Sequence, residues 1–111
     1  MKRLVLLVTS FALVTALFAA QAKQTFVGTI TDDMCPMADH SHMRMGPTDA
    51  ECAKACIEYH GSMYTLYDGK NSYTLSDQPT PEKFAGQKVK VTGVLDAKSH
   101  IIKVDSIAAA N

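Results

Sequence analysis

The chain predicts an all-β domain with a single inserted helix, and three observations carry that prediction. Short alternating runs rich in Val, Ile, Thr and Tyr recur between residues 25 and 107, which is the two-residue period of half-buried strands. Turn chemistry separates them, as in Asp68-Gly69-Lys70-Asn71 and Asp96-Ala97-Lys98-Ser99. Helix signals gather in one place, between Thr48 and Gly61.

The elements follow in order. Thr25–Thr31 (TFVGTIT) is the first strand, broken by Asp32-Asp33, which reads as a strand-end turn. Thr48-Asp49-Ala50-Glu51 matches a capping box, with Thr48 as N-cap and Glu51 reaching back to the Thr48 amide. Gly61 stops that helix. Cys52, Ala55, Cys56 and Tyr59 fall at i, i+3, i+4 and i+7, a stripe expected to turn both cysteines toward the sheet. Met63–Tyr67 and Ser72–Leu75 form a hairpin. Pro79–Phe84 is a brief helical turn ended by Gly86. Lys88–Leu95 alternates until Gly93, where a bulge or bend is expected. His100–Ile107 pairs back on it as the last strand. This order suits a small five-stranded OB-like barrel with the helix inserted between strands one and two. An open antiparallel sheet carrying the helix on one face is the alternative.

The N-terminus predicts the compartment. Lys2 and Arg3 precede an apolar run over Leu4–Phe18, and Ala20-Gln21-Ala22 supplies a small-x-small cleavage pattern. Residues 1–22 therefore read as a secretory signal peptide, whose apolar part is too short for a lasting membrane anchor. Cleavage near Ala22 leaves Lys23–Asn111 as one domain, periplasmic or secreted. A domain of that size buries a thin core, so a disulfide or metal staple matters to its stability. Eleven basic and eleven acidic residues balance in the whole chain, and loss of Lys2 and Arg3 leaves about −2. No basic stripe with interleaved aromatics is present, which disfavours nucleic-acid binding.

Four blocks recur together in the pattern Gly28–Cys35, Glu51-Cys52-Ala53-Lys54-Ala55-Cys56, Gly61–Leu66 and Ala85–Gly93. Through them the chain resembles a family of small secreted bacterial proteins of unknown function, with a Met-Cys…Glu-Cys-x3-Cys…Ala-Gly-x-x-Val-x-Val pattern. Gly86–Leu95 followed by Ile101–Ile107 is also similar to periplasmic OB-fold proteins. The resemblance implies fold and location and carries no catalytic residue with it.

Chemistry concentrates in Met34–Cys56, which holds all three cysteines, two of the four histidines and four of the six methionines. In an oxidising compartment an odd cysteine count implies one bridge plus a free thiol, an intermolecular bridge, or a metal site. Cys52 and Cys56 lie one helical turn apart, which strains a direct bridge, so Cys35 is the better disulfide partner for either. Such a bridge closes a loop of roughly 18 to 22 residues and contributes about 3 kcal/mol. Alternatively, Cys35, Cys52 and Cys56 hold one ion: Cu(I) accepts two or three sulfurs, and Zn(II) takes a fourth ligand from His40, His42 or His60. Met34, Met37, His40, His42, Met43 and Met45 form a second, looser candidate group for copper or silver.

Catalytic readings find little support. Ile57 stands where covalent haem needs a histidine after the second cysteine. His60 lies four residues from Cys56, but no Gly-rich oxyanion turn accompanies that pair. The expectation is a non-enzymatic exported binding protein. Its cofactor is copper, with zinc as the other candidate, held by Cys35, Met37, His40, His42, Met43, Met45, Cys52 and Cys56. It predicts sub-micromolar Cu(I) affinity that falls when Met43 and Met45 become leucine. The rival is a disulfide-stapled structural or interaction domain that contacts an envelope protein and binds no metal.

Overall fold

A computed structural model describes residues 22–110. The signal peptide assigned to residues 1–22 thus lies, but for Ala22, outside the described residues. Among those described, five strands and one α-helix form: β1 (Gln24–Asp32), α1 (Asp49–His60), β2 (Tyr64–Tyr67), β3 (Ser72–Leu75), β4 (Lys88–Asp96) and β5 (Ile101–Ala109). A 3-10 turn, Thr80–Phe84, joins β3 to β4. The expectation of five strands with one helix between the first two is met.

The strands make one sheet that closes on itself in the order β1-β2-β3-β5-β4. Every neighbour pair is antiparallel except β3 with β5. Closure depends on β1, whose first half pairs with β4 and whose second half pairs with β2, both partners meeting at Thr29. At that hand-over Gly28 lets the strand approach the Tyr67 carbonyl, where a Cβ would collide. The register shift between β4 and β5 falls at Thr92/Gly93, where the sequence places a bulge.

Side chains of one pleat fill the ring. Ile30, Leu66, Leu75, Val89, Val91 and Ile102 are fully buried, with Tyr64 and Tyr73 beside them. Each such aliphatic side chain contributes roughly 1.5–3 kcal/mol by leaving water.

Helix α1 packs onto β1. Glu51 N–H donates to Thr48 Oγ1 at 3.2 Å, so the N-cap forms. The other half of the box differs from expectation, because the Glu51 carboxylate accepts the Thr48 hydroxyl rather than the Thr48 amide. Gly61 ends the helix at φ 63°, the left-handed conformation that favours glycine. The buried stripe also corrects the expectation. Cys52, Ala53 and Cys56 are buried and Ala50 and Ile57 pack on the core, whereas Tyr59 is 70% exposed. Ala50, Ala53 and Ile57 form the line that touches the core, at i, i+3 and i+7. Cys52 and Cys56 flank it.

Candidate metal centre

The site begins where β1 stops behaving as a half-exposed strand. Ile30, Thr31 and Asp32 all have zero exposure, because the inserted segment covers the face that water would otherwise wet. The two-residue period puts Asp32 on the face of Ile30, opposite Tyr64 on β2.

Past Asp32 the chain makes three successive reverse turns. Cys35 N–H donates to Asp32 O (3.2 Å), Ala38 N–H to Cys35 O (2.9 Å) and Met43 N–H to His40 O (3.3 Å). Asp32 Oδ1 accepts the amides of Met34 and Cys35, each at 3.0 Å, which fixes the carboxylate and the first turn together. Thr31 Oγ1 donates to the Cys35 carbonyl at 2.8 Å. Asp33 N–H donates to Met63 O at 3.0 Å, and Ser62 Oγ donates to the Asp33 carboxylate, tying this loop to the exit of α1.

These turns carry Cys35 and His40 inward against Asp32. One donor atom from each of Asp32, Cys35 and His40 lies within 4.8 Å of the others, and all three residues are buried. Asp32 Oδ2 and His40 Nδ1 have no hydrogen-bond partner. Leaving a buried polar atom unpaired costs about 1–3 kcal/mol, and more for a charged one. The ion pairs among the described residues, Lys23–Asp105 and Arg44–Asp49, both leave Asp32 out. Two residues of one small buried group thus each carry an unpartnered polar atom, as Tyr64 Oη and Thr65 Oγ1 also do, and such atoms call for an explanation.

The helix supplies the remaining sulfur. Cys52 and Cys56 project from successive turns of α1 with zero exposure. Cys52 Sγ accepts the Met45 N–H at 3.2 Å and donates to Met43 O at 3.3 Å, which pins the end of the loop to the helix. Burial pushes the Cys56 thiol up to about 12, with the negative charges of Asp32, Cys52 and Cys35 adding to it and a hydrogen bond to Cys52 that favours the protonated thiol contributing last. Cys35 is raised in the same way, first by burial, then by Asp32 and Cys52. Negative charge nearby thus opposes ionisation of both Cys35 and Cys56, which places these two thiols in one electrostatic neighbourhood with Asp32 and Cys52. A bound cation is what reverses that opposition, since metal ligation requires thiolate and releases its proton. None of the three cysteines is joined to another.

The other predicted ligands go elsewhere. Met37 is 66% exposed, and His42 and Met45 are also on the surface, with Met43 half-buried. Met34, Met37, His42 and Met43 line an open cavity of about 320 Å³, which Cys35 and Asp39 also border. His60 is exposed at the end of α1. His100 stacks on Tyr73 with ring centroids 6.1 Å apart. Of the eight candidate ligands, the structure buries Cys35, His40, Cys52 and Cys56, of which Cys35 and His40 join Asp32 in the close group, and leaves Met37, His42, Met43 and Met45 outside it.

Asp32 is the member that the sequence reading missed. Asp32-Asp33 reads as a solvated turn, yet only Asp33 is exposed. A signal was available: the strand period through Ile30 puts Asp32 on the core face, three residues before a cysteine. No protein-family model, no curated protein and no solved structure matches this chain.

Proposed function

We propose that this protein is an exported, non-enzymatic metal-binding module whose ion sits among Cys35, His40, Cys52 and Cys56. The observation that carries this reading is the close group of buried Cys35, His40 and Asp32, in which His40 Nδ1 has no partner, with the buried Cys52 and Cys56 on the helix nearby. Thiolate and imidazole together suit thiophilic ions, namely Cu(I) and Zn(II). The closed order β1-β2-β3-β5-β4 with its parallel β3–β5 step supports the OB-like assignment. In that frame the site occupies the elaborated loop after strand one. The basic, apolar and small-residue sequence of residues 2–22 supports a role in the cell envelope or outside the cell.

Native mass spectrometry of protein purified from the exported fraction, without a metal-affinity tag, tests the reading. One stoichiometric Cu(I) or Zn(II), retained against a mild chelator and lost in Cys56→Ser, is the expected result. A species lighter by two hydrogens that takes up neither ion overturns it and leaves the stapled interaction domain. Changing Met43 and Met45 together to leucine separates the buried group from the outer loop. Ion affinity is expected to stay within about threefold, the scale of an ordinary surface change.

A further inference from the structure

We infer that Asp32 is itself a ligand, and that with Cys35 and His40 it makes the site select a borderline divalent ion, Zn(II) foremost, over Cu(I). This rests on the metal-binding reading above and refines which ion is held.

The two oxygens of Asp32 do different work. Oδ1 accepts two backbone amides, Met34 and Cys35, which orients the carboxylate as a supporting shell orients a ligand. Oδ2 is buried and has no hydrogen-bond partner, and the carboxylate brings an oxygen into the same small group as the Cys35 sulfur and a nitrogen of His40. The neighbouring carboxylate is a useful contrast, because Asp33 is exposed and already takes a hydrogen bond from Ser62. His40 is 3% exposed with Nδ1 unpartnered, although every other histidine of the chain lies at the surface.

Donor chemistry then points to the ion. Cu(I) prefers sulfur and gains little from a carboxylate, whereas Zn(II) accepts sulfur, imidazole nitrogen and carboxylate oxygen in a four-ligand shell. Oxygen, nitrogen and sulfur from Asp32, His40 and Cys35 fill three positions. A thiolate from α1, which carries Cys52 and Cys56 into the same neighbourhood, completes the fourth. On binding, Cys35 and that helical thiol each release one proton to solvent, while the carboxylate and the neutral imidazole contribute lone pairs. Two thiolates and one carboxylate leave the Zn(II) complex with one net negative charge.

Competition titrations with Zn(II) and with Cu(I), on the reduced exported protein and on Asp32→Asn, test this. Asparagine keeps an oxygen for the two amides and removes the charge and the free ligand oxygen. The expected result is a Zn(II) affinity lower by on the order of 10- to 100-fold with Cu(I) affinity within about threefold. A folded Asp32→Asn protein with unchanged Zn(II) affinity, or with equal losses for both ions, overturns the inference. Should that variant not fold, X-ray absorption at the zinc edge of the unmutated protein decides. Two light-atom donors beside sulfur support Asp32 and His40 together, and an all-sulfur shell overturns the proposal. Unmutated protein that binds Cu(I) but not Zn(II) overturns this inference and leaves the metal-binding reading standing. Protein that takes up neither ion overturns both.

Discussion

β4 and the end of β1 belong to the same closed sheet, yet they obey different rules. In β4, Val89 and Val91 have zero exposure while Lys88 and Lys90 face water. That is the ordinary compromise of a sheet with one wet face. At the end of β1, Ile30, Thr31 and Asp32 are all buried, and the last of them carries a polar atom with no partner. The first region is built for stability. The second region gives stability up, and does so where Asp32, Cys35 and His40 meet. Local rules that hold along most of a chain and fail together in one place point to a site rather than to a defect.

Three perturbations sharpen this contrast. The largest effect belongs to the apolar interior. Leu66→Ala should lower unfolding free energy by about 2–5 kcal/mol in urea denaturation, the range for a truncated core leucine. Metal affinity of the folded fraction should barely move, since Leu66 belongs to the apolar cluster that contains no cysteine. A large loss of affinity in that variant would mean that the two regions are one cooperative unit.

The cap of α1 comes next. Thr48→Ala removes the oxygen that receives the Glu51 amide and should cost about 1 kcal/mol. Because α1 carries Cys52 and Cys56, the proposed site needs the formed helix, so the same variant should show a larger stability deficit with metal than in chelator. Equal deficits in both conditions would separate the helix from the site.

The smallest effect lies far from the site, in the β2–β3 turn. Asp68 Oδ1 accepts the amides of Lys70 (2.8 Å) and Asn71 (2.6 Å). The Asn71 bond foremost, with that of Lys70, holds its carboxyl below the usual carboxylate range. A carboxylate with a lowered folded pKa stabilises the fold above its unfolded value, about 3.9, and loses that contribution as pH falls through the folded value. Asp68→Ala should therefore be less stable at neutral pH, by under about 0.5 kcal/mol because the group is exposed. The deficit should disappear in acid. Thermal melts at pH 7 and near pH 3 check it, and a deficit that persists in acid would deny the carboxylate its role.

Much of this was legible before any coordinates. The two-residue alternation of Lys88–Leu95 depends only on pleat geometry, and it located β4 and its bulge at Gly93. Thr48 and Gly61 act through their own backbone and side-chain chemistry, so the ends of α1 were readable too. Tyr59 was misplaced because a helical stripe states which residues share a face, not where along it the sheet ends. Met37, His42, Met43 and Met45 are close to the cysteines in sequence. The turns at Cys35–Ala38 and His40–Met43 then sent neighbouring side chains in different directions.

By itself, the sequence determined five strands, one capped helix, and a segment between them crowded with metal-binding side chains. Periodicity, capping and turn chemistry act over a few residues, and a single chain displays them directly. Only the tertiary structure decided which of those side chains meet. Closure of the sheet through β1 brings α1 over the end of that strand, and this buries Asp32 beside Cys35 and His40. Contact between residues distant in sequence depends on how elements dock, and docking is set by the whole core at once.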